Sequence, residues 1–169
     1  GAYRLELQDG GGQALFTRFF ELMSDGYQGG DDGLFHEVVP FPAGTARIVL
    51  KRGATVLASR SVSAHSPTVT LLTPNGGETW GASDRQTVRW MASDADGDEL
   101  AYSLQYSSDG GATWSALASD LLVTEHSVEA KVLGGSNQAL IRVIASDGVN
   151  TGTDTSDATF AVARKAPQV

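Results

Sequence analysis

Apolar and polar residues alternate over short stretches of this chain, as in Tyr102-Ser103-Leu104-Gln105-Tyr106 and Ile141-Arg142-Val143-Ile144-Ala145. A period of two sends successive side chains to opposite faces, which is the pattern of a strand with one buried side. Over residues 67–166 it predicts seven strands, near 68–73, 86–92, 101–107, 113–118, 124–130, 139–145 and 157–163. The segments between them, among them Asn75-Gly76-Gly77, Asp96-Gly97-Asp98, Asp109-Gly110-Gly111, Gly134-Gly135-Ser136 and Asp147-Gly148, are rich in residues that tolerate positive φ. No sustained helical period interrupts the series. Residues 1–66 predict further strands near 3–8, 14–21, 35–39, 46–51 and 55–63, with a hairpin turn at Lys51-Arg52-Gly53-Ala54 and a loop over Ser24 to Gly33. The fold class is therefore all-β.

Ser66-Pro67-Thr68-Val69 recurs in form as Ala166-Pro167-Gln168-Val169, with the prolines 100 positions apart. That interval is the length of one β-sandwich domain. Proline donates no ladder hydrogen bond and suits the extended start of a module. The expected organisation is a small all-β domain, complete or trimmed, over 1–66, a sandwich over 67–166, and the start of a following linker or module at 167–169. Five strands in the first 66 residues would make a core near the lower size limit for independent folding.

Composition narrows the function classes. The chain has 20 glycines, 8% aromatic residues and no cysteine, so neither a disulfide framework nor a thiolate metal site is available. Its net charge is −8, and the acidity sits in the second half: residues 1–66 carry six basic and seven acidic side chains, residues 67–169 six and thirteen. Such a surface repels polyanions, and no cluster of Lys and Arg offers a phosphate-tracking groove, which argues against nucleic acid as a partner. No apolar run approaches the length that crosses a bilayer, so direct membrane insertion is not expected.

Trp90 in the second predicted strand of the sandwich, Tyr102 to Tyr106 in the third and Ile141 to Ala145 in the sixth together resemble the fibronectin type III and immunoglobulin-like families. The resemblance covers about 100 of the 169 residues and implies a two-sheet, seven-stranded Greek-key sandwich, without the immunoglobulin cysteine pair. Pro74-Asn75-Gly76-Gly77-Glu78-Thr79-Trp80 and the hairpin Tyr106 to Trp114 look like modules attached to bacterial and archaeal exported proteins, which implies an extracellular or cell-surface parent. Ser107-x-Asp109-x-Gly111-x-Thr113-Trp114 is similar to the Asp-box hairpin, a pattern explained residue by residue by turn chemistry and specific to no activity.

Among chemistry-bearing residues, Asp94-Ala95-Asp96-Gly97-Asp98-Glu99 stands out. Alternate carboxylates around a glycine can converge on a hard cation, so Asp94, Asp96 and Asp98 are the candidate calcium ligands, with Asp147, Asp154 or Asp157 as candidates to complete the set. Glycine at the fourth position and Gln105 at the twelfth do not match an EF-hand, and a solvated turn explains the loop as well. His36-Glu37-Val38-Val39-Pro40 has proline where a zinc protease needs its second histidine, and His65 and His126 have no triad spacing. No nucleophile elbow or phosphate loop is present, so no catalytic residue is assigned. Trp80 and Trp114, near loop ends, are candidate ligand contacts for a sugar face, whereas Trp90 is expected in the core.

The function expected from these observations is a non-catalytic spacer or interaction module of a larger secreted or surface protein. Its partners would be other domains of the same chain, a surface protein or a polysaccharide, and calcium is the one candidate cofactor. The alternative is a carbohydrate-binding accessory module of an exported hydrolase.

Overall fold

A computed structural model describes residues 2–22 and 35–164. The chain divides into two compact units, Gly1–Val62 and Ser63–Val169. The loop expected over Ser24–Gly33 and the repeated motif at Ala166–Val169 lie outside the described residues.

The first unit holds a four-stranded antiparallel sheet of β1 (Tyr3–Gln8), β2 (Ala14–Phe20), β3 (Arg47–Arg52) and β4 (Thr55–Ser61), in the order β2-β1-β3-β4. Gly53, at φ 57°, turns β3 into β4. The register puts Leu5 opposite Arg18 and Leu50, and Leu7 opposite Phe16 and Ile48. One face thereby carries Leu5, Leu7, Ile48 and Leu50. On the other, Glu6 accepts hydrogen bonds from Arg4 (2.6 Å), Gln8 (2.6 Å) and Lys51 (2.7 Å). Residues 35–39 are not a strand. Phe35 stacks on Phe20 at 4.6 Å and Glu37 pairs with Arg18 at 2.9 Å, so side-chain contacts hold this segment instead of a ladder, and Pro40 could not have extended one.

The second unit is two packed sheets. The first contains β5 (Thr68–Thr73), β7 (Arg85–Ser93) and β10 (Glu125–Glu129), in the order β10-β7-β5. The second runs β6-β13-β11-β8-β9, from β6 (Thr79–Trp80), β8 (Ala101–Ser107), β9 (Ser115–Leu121), β11 (Ser136–Ser146) and β13 (Phe160–Val162). β12 (Thr151–Thr155) pairs with the later half of β11, from Arg142 to Ser146, and β13 with its earlier half, so β12 and β13 are one last strand broken at Ser156. Leu71, Val88, Trp90 and Val128 from the first sheet meet Leu104, Ile141, Val143 and Phe160 from the second in a single core. The second unit is a fibronectin-III-like, immunoglobulin-like sandwich.

Its first strand changes sheets. β5 pairs antiparallel with β7, the chain then bends at Gly76 (φ 130°), and β6 pairs parallel with β13. A side chain at Gly76 would stand 2.6 Å from the Ala158 Cβ, so both conformation and space demand glycine. The bend is fixed by Glu78, whose carboxylate accepts the Asn75 and Gly76 amides at 2.7 and 2.8 Å. Neither β6 nor β12 is separately legible from alternation: one has two residues, and the other, Thr-Gly-Thr-Asp-Thr, has no apolar side chain to alternate.

Candidate functional site

The loop after β7, the loop after β11 and the segment leading into β5 meet at one end of the sandwich. In this topology the second and sixth major strands finish at the same end, which brings Asp94 and Asp147 together although 53 positions separate them. Asp94 caps its own loop: its Oδ1 accepts the amides of Asp96 (2.8 Å) and Asp98 (3.3 Å), while Gly97, at φ 79°, closes the turn onto the Asp94 carbonyl. Asp147, only 2% exposed, does the same in the second loop, its Oδ1 accepting the Val149 and Asn150 amides, each at 2.6 Å.

Asp94, Asp98 and Asp147 each place a carboxylate oxygen within 4.8 Å of the other two. Asp96 is not part of this group, which corrects the triplet Asp94, Asp96 and Asp98 expected from spacing. Alternate positions in a tight turn do not share a face as they would in a strand, and Asp96 points to the leading segment, accepting from the His65 amide (2.8 Å) and pairing with the His65 ring Nδ1 (2.9 Å). Each partner stabilises the charged form of the other, so the His65 pKa is raised and the Asp96 pKa lowered. Asp98 accepts from the Ser63 hydroxyl, and the Asn150 side-chain amide donates to the carbonyls of Ser63 (3.1 Å) and His65 (3.4 Å). These bonds explain why the second unit starts at Ser63, ahead of the Pro67 boundary suggested by the proline repeat. Of the other acidic candidates, Asp154 accepts the Leu71 amide (2.6 Å) and Asp157 the Asn75 side-chain amide (2.7 Å), which ties both to the strand crossing.

The Ser107–Trp114 hairpin is satisfied internally. Asp109 accepts from the Thr113 amide (2.9 Å), the Thr113 hydroxyl (2.6 Å) and the Ser107 hydroxyl (2.7 Å). Those donors, the Thr113 hydroxyl first, hold its pKa down at about 2. The Trp114 indole donates to the Gly111 carbonyl at 3.0 Å, and the Arg142 guanidinium lies 3.8 Å from its ring centroid. One face of Trp114 is therefore covered by a cation. Trp80 is 3% exposed and packs on Phe160 with centroids 4.7 Å apart, so it is a core residue, contrary to the expectation that it is a ligand contact. Its position beside a glycine turn suggested a loop end, but β6 carries it under the sheet. Trp80 and Trp114 thus form no common platform for a sugar. Trp90 is buried as expected, edge-on to Tyr102.

No family model and no curated protein matches this chain. Among solved structures it is similar to the crystal structure of chicken CNTN1 FN1–FN3 domains, with 15% sequence identity and a TM-score of 0.40, covering 73% of this chain and 45% of that one. The chain spans less than half the length of that structure's chain. The sandwich assignment rests on the strand pairing described above.

Proposed function

We propose that this chain is a non-catalytic spacer module of a larger exported or cell-surface protein, whose partners are the neighbouring domains of the same parent chain. The observation that carries the reading is the parallel contact between the first and last strands of the second unit. Four backbone bonds cross it in sequence: Ala158 to the Asn75 carbonyl (3.2 Å), Gly77 to that of Thr159 (3.0 Å), Ala161 to that of Glu78 (2.8 Å) and Ala163 to that of Trp80 (2.9 Å). Tension from the N-terminal side draws β6 toward its start, while tension leaving through Arg164 draws β13 toward its end. Parallel strands drawn in opposite directions slide, so all four bonds are loaded together instead of parting one by one. A unit that transmits force and keeps the spacing of its neighbours wants this geometry. The Asp-box-like hairpin belongs to the same reading as a self-satisfied turn with a structural role. The exported setting is supported by the likeness of the Pro74–Trp80 and Tyr106–Trp114 segments to modules of exported proteins.

Pulling single molecules through their two ends tests the proposal. Ala163→Pro removes the last donor of the parallel contact at a position just outside β13. The force that unfolds the second unit should fall in this variant while its tryptophan fluorescence stays native. Equal forces for the variant and the parent chain would contradict the spacer reading.

A further inference from the structure

We infer that the open side of the sandwich carries a binding cleft for a neutral saccharide, between β9 and the 3₁₀ turn Ala130–Val132 that follows β10. β9 ends the second sheet and β10 ends the first, so among the described residues no further strand closes this side. A cleft of about 450 Å³ lies there, lined by Tyr106, Ser108, Thr113 and Ser115 from the hairpin and by Val132 and Gly134 from the turn. That volume falls in the range of small-molecule sites, about 300–1,000 Å³. The two walls are bonded to each other. The Tyr106 hydroxyl donates to the Gly134 carbonyl (2.5 Å), the Ser136 hydroxyl to the Ser108 carbonyl (2.6 Å) and the Gly110 amide to the Gln138 carbonyl (3.0 Å). Asp109, with its three donors, fixes the hairpin itself. A cleft held in this way is formed before any ligand arrives, so binding does not have to order its walls.

The lining selects the ligand class. Tyr106, Ser108, Thr113 and Ser115 carry hydroxyl groups, Leu117 and Val132 carry apolar surface, and no lining residue is charged. In the same two segments Asp109 is taken up by its own donors, and Lys131 pairs with Glu129 at 2.6 Å. An ion entering the cleft would lose water and gain no countercharge. A sugar ring offers hydroxyls that both donate and accept, as the serine and threonine hydroxyls do, together with C–H surface to cover leucine and valine. Val132 is 67% exposed, so apolar surface is available to such a face. A peptide strand added to β9 fits less well. The pairing of β9 with β8 shifts register twice and Asp120 has a φ of 55°, so the outer edge of β9 lacks the regular row of amides and carbonyls that strand addition uses. The inference goes beyond the spacer reading, because a unit that transmits force can carry such a cleft or lack it.

Titrating the full chain, labelled for amide NMR, with maltose, cellobiose and lactose in turn tests it. At least one of these neutral disaccharides should shift the amides of Ser108, Thr113 to Leu117 and Val132 to Gly134, with a dissociation constant of about 1–10 mM. Ser115→Leu, at an exposed position, removes a lining hydroxyl and fills part of the cleft, and should weaken that binding at least about tenfold with the rest of the spectrum unchanged. Ser119→Leu, exposed on the same strand but outside the lining, should leave the affinity within about threefold. No shift with any of the three sugars up to about 50 mM, shifts centred on other residues, or parental affinity in Ser115→Leu would each overturn the assignment. Equal loss of binding in Ser115→Leu and Ser119→Leu would overturn it too.

Discussion

Ser156 sits where the last strand breaks between β12 and β13, and replacing it with alanine should cost the second unit far more than one hydroxyl group suggests. Where a continuous strand would present a ladder carbonyl to β11, Ser156 presents its side chain: Oγ accepts the Ile141 amide at 3.1 Å and donates to the Pro74 carbonyl at 2.9 Å. The residue is 6% exposed, so water cannot replace either bond without entering the core. Ser156→Ala leaves the Ile141 N–H buried without an acceptor, a loss of about 1–3 kcal/mol, and removes the donor to Pro74, worth about 1 kcal/mol. The expected total is about 2–4 kcal/mol. All three tryptophans lie in the second unit, so urea denaturation followed by their fluorescence reads this unit alone. The midpoint should fall with an unchanged slope, the sign of altered stability without altered surface exposure. A loss below about 0.5 kcal/mol would refute the claim that this hydroxyl closes the broken ladder.

Two further substitutions probe each unit separately. Gly152→Ala would bring a Cβ to within 2.0 Å of the Pro67 carbonyl oxygen, where β12 passes β5, and backbone cannot yield as a flexible side chain would. A destabilisation of about 2 kcal/mol or more is expected by the same fluorescence assay. In the first unit, Lys51 foremost, with Arg4 and Gln8, holds the Glu6 carboxyl at about 2 against its ordinary 4.5. A carboxyl whose pKa is depressed on folding stabilises above its unfolded value, and that contribution is lost as pH falls from about 4.5 toward 2. The first unit should therefore lose about 1–2 kcal/mol over that window, after allowance for solvent screening, and Glu6→Gln should flatten the dependence. Hydrogen exchange of the β1 and β3 amides at several pH values measures both.

Much of the sandwich was legible because its long strands bury alternate side chains: Tyr102, Leu104 and Tyr106 are all buried, and so are Ile141, Val143 and Ala145. Alternation fails where packing across a turn replaces burial of a face. Phe35 to Val39 reads as a strand but is held by contacts from Phe35 and Glu37, and Thr151 to Thr155 reads as a loop but completes β11 through backbone bonds. The acidic site was legible in part. Asp94 and Asp98 stand in one motif, but turn geometry sends Asp96 elsewhere, and Asp147 joins only through the topology. The Asp147-Gly148-Val149-Asn150 turn after the sixth major strand was the signal available, once the loops after the second and sixth strands are placed at one end.

The spacer account depends most on the parallel contact between β6 and β13, and amide hydrogen exchange at Ala161 and Ala163 in the full chain tests it directly. The account predicts that both amides open only with global unfolding of the second unit, with protection matching the stability from urea denaturation, as for the core amides of β11. Exchange at rates typical of a fraying strand end, with β11 still protected, would contradict it.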